Sequence, residues 1–201
     1  MFSTEKFWNE KFKNEDYFYG TEPNQFLKSF AYLFKPNAKV LSLGDGEGRN
    51  TVFLAKKGLD VTASDASSIG LKKLERLAEN EKARVNTRYE DIVSGDWDNL
   101  KWDGIINIFC HLPKDQRFTI YSKIKNSLNP NGIFITEMFS VDQLKYKSGG
   151  PADLDMLLNL KEFNEFFNDF KVIYASSELT ELNEGRHQGI GSVIRFVSQK
   201  K

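Results

Sequence analysis

Short apolar segments alternate with helical segments from Val40 to residue 137. The helical segments carry apolar residues three and four positions apart, as Leu71, Leu74 and Leu77 do, which places them on one helix face. Repeated strand–helix–strand units form a parallel sheet with helices packed against it. The sequence therefore predicts an α/β fold. Its strands are expected at residues 39–43, 59–64, 84–89, 104–109 and 132–137, and its helices near residues 50–57, 71–78 and 114–128.

The end of the chain follows a different pattern. A predicted helix at residues 160–170 precedes two strand candidates at 172–176 and 191–198, which the polar stretch 178–189 joins. Two successive strands without an intervening helix pair antiparallel. We therefore expect about seven strands, the last of them antiparallel to a sheet that is otherwise parallel.

The length of 201 residues fits one domain. Apolar positions recur early in the chain, for example at Phe7, Trp8, Phe12, Phe26 and Phe30, and they predict helices before the sheet. We expect residues 1–35 to form a helical segment or lid and residues 36–201 to form the core.

Charge and cysteine content narrow the function classes. The chain has 28 basic and 28 acidic residues, so its net charge of zero disfavours a general nucleic-acid binder or an anionic-membrane binder. The single cysteine, Cys110, forms no intrachain disulfide and excludes a cysteine-rich zinc site. No residue spacing is typical of a metal site, and no apolar run is long enough for a membrane span. We expect a cytoplasmic protein without a metal that acts on a small molecule, as a monomer or weak homodimer.

A glycine-rich loop joins the first strand to the first core helix. Gly44, Gly46 and Gly48 lie where backbone approaches a nucleotide closely. Asp65 ends the second strand about 20 positions further on, where a carboxylate accepts hydrogen bonds from ribose hydroxyls. Two structural alternatives remain open: a glycine turn that serves packing only, and an aspartate that caps the following helix.

The residues within the loop discriminate between nucleotide ligands. A dinucleotide site needs glycine at position 49, but Arg49 occupies it. Asp45 and Glu47 would repel a pyrophosphate. The loop therefore favours S-adenosylmethionine, a phosphate-free nucleoside with cationic groups. A nicotinamide-dependent oxidoreductase is the alternative.

Two segments resemble a known family. Residues 40–50 and 61–65 resemble the first two motifs of class I S-adenosylmethionine-dependent methyltransferases, and Glu47-Gly48-Arg49-Asn50 resembles their tellurite-resistance and thiopurine-methyltransferase-like branch. Residues 17–24, 108–113, 149–151 and 184–189 also resemble that branch. The resemblance implies a three-layer Rossmann-like methyltransferase sandwich that uses S-adenosyl-L-methionine and releases S-adenosyl-L-homocysteine.

The resemblance also implies a set of cofactor contacts. The loop would wrap the methionine part, Asp65 would hold the ribose, and Asn107 and Phe109 would lie near the methyl group. Many members carry an acid where this chain has Ser42, and Asp45 is the candidate to replace it. The implied cofactor residues are Gly44, Asp45, Gly46, Glu47, Gly48, Arg49, Asn50, Asp65, Ala66, Asp91, Ile92, Asn107 and Phe109.

The substrate side rests on fewer residues. His111 is the candidate catalytic residue, and the alternative is a loop histidine hydrogen bonded to backbone. Tyr17 and Tyr19 are candidates for a lid. Arg186 and His187 are candidates for an anion site, or else for a solvated connection in which Arg186 pairs with Glu184 or Glu181. The expected acceptor is a thiol, a metalloid oxyanion or a similar soft nucleophile. A non-catalytic cofactor-binding relative is a further alternative, motivated by Ser42.

Overall fold

Seven strands form one sheet in the computed structural model, which describes residues 4–201; residues 1–3 of the predicted N-terminal segment lie outside it. The strands are β1 (Lys39–Leu43), β2 (Asp60–Asp65), β3 (Asn86–Tyr89), β4 (Trp102–Ile108), β5 (Leu128–Phe139), β6 (Lys171–Glu184) and β7 (His187–Gln199). Their order in the sheet is β3-β2-β1-β4-β5-β7-β6. The first five pair in parallel, and β7 is antiparallel to β5 and β6. The predicted α/β sheet with an antiparallel last strand is confirmed.

Six α-helices accompany the sheet in the described part of the chain. They are α1 (Thr4–Phe12), α2 (Gln25–Phe30), α3 (Arg49–Lys56), α4 (Ser68–Asn80), α5 (Lys114–Ser127) and α6 (Leu160–Phe166). Within residues 4–201, no helix is both long and apolar enough to cross a membrane.

Strand alternation distributes the core over both faces of the sheet. Successive strand residues point to opposite faces. Leu41 accordingly packs with α5 and α6 residues such as Ile120 and Phe163, whereas its neighbour Val40 packs with α2 and α3 residues such as Leu27 and Leu54. The fully buried aromatic residues Tyr121, Phe134, Phe163, Phe167 and Phe196 belong to the first of these two clusters. The helices therefore cover both faces, and the carboxyl ends of β1, β2, β4 and β5 meet at one edge.

The hairpin differs from the prediction. The polar stretch 178–189 was expected to connect two short strands, but β6 continues to Glu184 and β7 begins at His187, so only Gly185 and Arg186 form the turn. That expectation was wrong because the polar residues of β6 line an edge strand, where their side chains reach solvent while the backbone pairs with β7. Val193 pairs with the last residue of β5, Phe139. The hairpin therefore extends past the carboxyl edge of the sheet.

Two further boundaries also differ. The turn predicted at residues 129–132 lies inside β5, where Asn131 has a positive φ of 65°. The helix predicted to end at residue 170 ends at Phe166. Both differences lie away from the carboxyl edge.

Candidate functional site

The glycine loop follows β1 with left-handed backbone at three positions. The φ angles are 60° at Gly44, 64° at Gly46 and 94° at Gly48, a region that favours glycine. A side chain at Gly44 would overlap the Sγ atom of Cys110, and a Cβ at Gly48 would lie 2.5 Å from Cγ of Leu74. Packing within the protein therefore requires glycine at positions 44 and 48, whether or not the loop binds a ligand.

Asp65 closes the loop from the end of β2. Its Oδ2 accepts a hydrogen bond from the Gly46 amide at 2.8 Å, and its Oδ1 accepts one from the Ser67 amide at 2.7 Å. Burial raises the pKa of Asp65 to about 6, although both amides lower it. The N-cap of α4 is Ser67, whose hydroxyl accepts from the Gly70 amide, so Asp65 is not the helix cap of the alternative interpretation.

The two carboxylate oxygens of Asp45 have different surroundings. The hydroxyl of Ser42 hydrogen bonds to Oδ1. The Oδ2 atom is buried and has no hydrogen-bond partner among the residues described. Burial raises the pKa of this carboxyl, and the Ser42 hydroxyl and the hydroxyl and amide of Thr51 oppose the shift. Thr51 therefore lies beside the carboxylate, although Oδ2 has no hydrogen bond of good geometry. A buried carboxylate oxygen is well suited to a cationic ammonium group. Ser42 thus orients Asp45, the candidate to replace the acid that many family members carry at position 42.

The other polar residues of the loop direct their side chains at the protein. Glu47 forms a buried ion pair with Lys73 and accepts the Phe18 amide at 2.7 Å. The Arg49 guanidinium donates to Glu184 at 2.7 Å. Lys73 compensates the charge of Glu47, so the repulsion of phosphate expected from this residue is weaker than the sequence suggested.

Asn50 completes this set of anchoring side chains. Its Oδ1 accepts the amide of Asn24 at 3.0 Å. The side chains of Glu47, Arg49 and Asn50 thus hold the segment before α2 and the hairpin. Because these three side chains are engaged within the protein, we expect the residues to contact a cofactor through their backbone atoms.

The predicted adenine contacts lie at the ends of β2 and β3. Ala66 is half-buried, Ile92 is buried, and Asp91 is exposed with its Oδ1 accepting the Val93 amide at 2.8 Å. Cys110 lies between this region and the loop, and burial raises the pKa of its thiol to about 12. Its predicted packing role agrees with its contact with Gly44.

The end of β4 carries an unpaired acceptor and a strained residue. Asn107 is buried, and its Oδ1 has no hydrogen-bond partner in the described chain. Phe109 has a φ of 55°, which is costly for a residue with a large side chain. This backbone turns the Phe109 ring against Phe139 and His187, with centroids 4.7 Å and 4.8 Å away.

His111 has both ring nitrogens engaged by backbone. Nδ1 lies 2.9 Å from the Met156 carbonyl oxygen, and Nε2 accepts the Phe139 amide at 3.3 Å. Burial lowers its pKa to about 4. This arrangement matches the alternative interpretation of a loop histidine bonded to backbone, and it leaves no free nitrogen for the catalytic role predicted for His111.

His187 is buried at the hairpin turn, so the alternative of a solvated connection was wrong for this residue. Its side chain packs against the rings of Tyr19, Phe109 and Phe139, with centroid distances of 4.7, 4.8 and 5.2 Å. Burial lowers its pKa to about 3, and Arg49 and His111 lower it further. The Nδ1 atom is buried without a hydrogen-bond partner in residues 4–201.

The remaining substrate-side candidates lie in different parts of the structure. Tyr17 donates to the Lys73 carbonyl at 3.0 Å and faces α4, whereas Tyr19 faces His187. Arg186 is exposed, with its guanidinium carbon 5.4 Å from the Phe18 ring centroid. Glu184 pairs with Arg49, so the alternative in which Arg186 pairs with Glu184 was wrong.

The model of the family described as tellurite resistance protein TehB matches residues 6–199. The chain belongs to the TehB family.

Relatives and solved structures agree with this family. The chain is 25% identical over 193 residues to the "Probable S-adenosyl-L-methionine-dependent methyltransferase TehB" of Haemophilus influenzae, covering 92% of this chain and 65% of that protein. It thus spans slightly less than two thirds of the length of this curated relative.

Two solved structures share the fold. The crystal structure of TehB from Haemophilus influenzae matches with a TM-score of 0.73 at 22% identity, over 98% of this chain and 67% of that one. A SAM-dependent methyltransferase from Anabaena variabilis matches with a TM-score of 0.73 at 17% identity, over 98% and 93% of the two chains. The predicted Rossmann-like methyltransferase sandwich is confirmed.

Sequence reasoning missed several residues that build this TehB-family site. The buried Lys73 donates to the carbonyls of Asn14 and Asp16 at 2.9 and 2.6 Å besides pairing with Glu47. A lysine beside the apolar face of α4, next to Leu74, was the signal that could have revealed it. Phe139 gave no such signal, because its role depends on Phe109 and His187, which lie far away in the sequence.

Phe12 was assigned only to helix packing, but it lies over the glycine loop. A Cβ at Gly46 would lie 3.1 Å from its ring, and one at Gly70 would also lie 3.1 Å away. Helix α1 therefore lies over the loop and the start of α4.

Proposed function

We propose that this chain binds S-adenosyl-L-methionine and transfers its methyl group to a small, soft nucleophile such as a thiol or a metalloid oxyanion. Family membership supports the proposal, as does the printed name of the Haemophilus relative. The observation that carries it is the pair of carboxylates at the glycine loop, Asp45 oriented by Ser42 and Asp65 at the end of β2.

The residues present fit this cofactor at three points. The Asp45 carboxylate, which the Ser42 hydroxyl orients, suits the methionine ammonium. Each oxygen of Asp65 accepts one amide and retains a second lone pair for a ribose hydroxyl. The unpaired Oδ1 of Asn107 supplies a further acceptor at the end of β4.

The cofactor supplies a methyl group activated on a sulfonium. The chain must then align the acceptor with that group and exclude water, and alignment of two reactants contributes up to ~7–11 kcal/mol. Phe12, Phe109 and Phe139 provide apolar walls for this purpose. A small-molecule acceptor also agrees with the zero net charge, which offers no general attraction for nucleic acid.

Isothermal titration of S-adenosyl-L-homocysteine tests the proposal. We expect binding to the unaltered protein, and a dissociation constant roughly tenfold to a hundredfold weaker in Asp65→Asn, because hydrogen bonds to a charged acceptor are lost. Asp60→Asn is the matched control, since Asp60 begins the same strand and bonds the exposed Asn86 side chain at 3.0 Å.

No detectable heat at about 0.5 mM ligand would contradict the proposal. NADH titrated under the same conditions tests the nicotinamide alternative. That alternative predicts binding of NADH and no binding of S-adenosyl-L-homocysteine. Binding without methyl transfer to any member of a panel of thiols, selenite and tellurite would support the non-catalytic alternative.

A further inference from the structure

We propose that two copies of this chain associate through the free edge of β6, so that their sheets join antiparallel about a two-fold axis at Ser176. Such an assembly does not depend on the proposed function. It assigns a partner, a second copy of this chain, to a surface that the candidate site does not use.

Strand β6 is an unusually long edge strand. It has 14 residues, lies at the end of the sheet and pairs with β7 alone. The opposite edge of the sheet is β3, which has only four residues. Strands commonly have about 5–6 residues, and a long free edge presents a row of unpaired N–H and C=O groups to another strand. The β6 edge is therefore the larger surface for strand addition.

The hairpin turn determines which backbone groups of β6 are free. Gly185 and Arg186 form a two-residue turn with a φ of 56° at Gly185, so Glu184 and His187 are its closing hydrogen-bonded pair. Hydrogen-bonded and non-hydrogen-bonded pairs alternate along an antiparallel ladder. The register is regular from residue 174 to residue 184. Even-numbered residues of this range therefore bond to β7, and odd-numbered residues direct their N–H and C=O groups away from the sheet.

Exposed apolar side chains accompany these free backbone groups. Leu179 is 58% exposed and Ile173 is 36% exposed. Ala175 and Ser177, which lie between them, are exposed as well. Alternation places all four on the face opposite Tyr174, whose ring packs against α2. Uncovered apolar side chains beside an unpaired edge mark an interaction surface.

The order of residues along this edge is self-complementary. In an antiparallel pair centred on Ser176, Ile173 of one copy lies opposite Leu179 of the other, so the two exposed apolar side chains cover each other. A two-fold interface requires a surface that matches itself in this way. A centre one residue further on, at Ser177, would instead place Ile173 opposite Glu181. The apolar pattern therefore selects the register centred on Ser176.

The hydroxyl of Ser176 is an independent indication of the same centre. Its Oγ is buried and has no hydrogen-bond partner within residues 4–201. Because the backbone of Ser176 bonds to β7, the residue and its copy would form a non-hydrogen-bonded pair, whose Cα atoms lie only about 4.5 Å apart. Hydroxyl side chains in such cross-strand pairs hydrogen bond to each other. Association would thus give a partner to a hydroxyl that is costly to leave unpaired.

The charges of β6 favour the antiparallel direction. Lys171 begins the strand and Glu181 lies near its end; both are exposed, and neither has an ion-pair partner in the described part of the chain. Glu178, between them, is already paired with Arg195 of β7. Antiparallel association brings the basic start of each strand to the acidic end of the other, which is attractive, whereas parallel association would bring like charges together.

Sedimentation equilibrium of the whole chain tests the assembly. We expect a reversible dimer with twice the chain mass of 23.1 kDa and a dissociation constant on the order of 10 µM, since one strand edge is a small interface. Leu179→Lys places a charge in the apolar contact and should weaken association at least about tenfold. Asn183→Lys adds the same charge at an exposed position outside the paired segment and is the matched control. Both variants should bind S-adenosyl-L-homocysteine as the unaltered protein does.

Cysteine cross-linking tests the register. Under mild oxidation, Ser176→Cys should form a disulfide with its own copy, because about 4.5 Å between Cα atoms is within the range that a disulfide spans. Ser177→Cys should form far less, since Ala175 would lie opposite it and its own copy would lie diagonally, about 7–8 Å away. The unaltered protein, whose single cysteine is the partly buried Cys110, should not cross-link.

Three results would overturn the proposal. A monomer at about 200 µM chain would exclude the dimer. Association of Leu179→Lys as tight as that of Asn183→Lys would exclude the β6 edge as its interface. Cross-linking of Ser177→Cys in preference to Ser176→Cys would exclude the two-fold axis at Ser176.

Discussion

Arg49 and Glu184 form a buried ion pair across 135 residues of sequence, with the arginine Nη1 2.7 Å from the glutamate Oε2. The same carboxylate accepts the Asn24 side-chain amide and the Gln25 backbone amide, each at 3.1 Å. The beginning of α3, the beginning of α2 and the hairpin are therefore joined at one group. This junction holds the hairpin beside the glycine loop.

Removing one member of this pair should destabilise the protein strongly. In Arg49→Met the carboxylate of Glu184 stays buried without its cation, and such a change costs ~3–5 kcal/mol. Urea denaturation measures the loss. Lys56→Met, which removes an exposed ion pair with Glu81, is the control and should cost less than ~1 kcal/mol. The double variant Arg49→Met/Glu184→Leu should lose less than the two single losses added together, and strict additivity would contradict the coupling.

Titration of Asp65 should change the stability of the ligand-free protein and its affinity for S-adenosyl-L-homocysteine in opposite directions. Burial raises its pKa from 3.8 to about 6. The folded state therefore binds this proton more tightly than the unfolded state, and stability falls by on the order of 3 kcal/mol as pH rises from about 4 to about 6, above which this contribution is lost. Affinity for S-adenosyl-L-homocysteine should rise over the same range, because the ionised carboxylate is the better acceptor for ribose hydroxyls.

Chemical denaturation and calorimetric titration between about pH 4 and 7 measure these two slopes. Both contributions should disappear in Asp65→Asn. Asp45, whose pKa burial also raises, is retained in both proteins, so the difference between them reports Asp65. Identical slopes in the two proteins would show that another group titrates.

Gly48 should tolerate alanine far less well than Gly58 does. Both have positive φ angles, 94° and 83°, so the backbone cost is similar. Only at Gly48 would the Cβ meet a core side chain, 2.5 Å from Cγ of Leu74, whereas nothing lies within 4 Å of a Cβ at Gly58. We expect Gly48→Ala to lose ~1–3 kcal/mol more than Gly58→Ala in thermal or urea unfolding. Equal losses would mean that φ alone decides.

Lys73 should control how firmly the segment before α2 is attached. Lys73→Met removes the partner of Glu47 and the donor to the carbonyls of Asn14 and Asp16. We expect faster amide hydrogen exchange in residues 12–20, with the sheet strands unaffected, because local openings report local contacts. Lys72→Met changes the exposed neighbouring lysine and should leave exchange unchanged. Unaltered exchange in Lys73→Met would remove the proposed anchoring role.

The parallel part of the fold could be predicted because its signals are local. The strand β1, the glycines after it and Asp65 lie within one strand–helix–strand unit, where spacing alone specifies their relation. The antiparallel hairpin was also predicted, but its length was not, because the pairing of the polar part of β6 depends on β7 and not on apolar alternation within it. A solvated connection therefore remained an alternative for His187, whereas the extended strands place its side chain against the rings of Tyr19, Phe109 and Phe139.

Most partners of the site side chains were equally out of reach of sequence reasoning. Glu47, Arg49 and Asn50 resemble a cofactor motif, but their side chains meet residues tens of positions away. Asp45 is an exception, since Ser42 lies three residues before it and orients it. A contact between residues three positions apart can be predicted from their spacing. The contact of Arg49 with Glu184 is distant in sequence and becomes visible only in the folded structure.

The residues proposed to hold the cofactor and the candidate residues of the substrate side come from different parts of the chain. Asp45, Asp65 and Asn107 belong to the parallel strands or follow them directly, whereas Tyr19 and His187 lie before α2 and at the hairpin turn. Loops and overhanging ends accept substitutions more readily than buried parallel strands do. Descendants of such a chain can therefore diverge in the molecules that they modify by exchanging a few residues near its two ends, while the methyl donor stays the same.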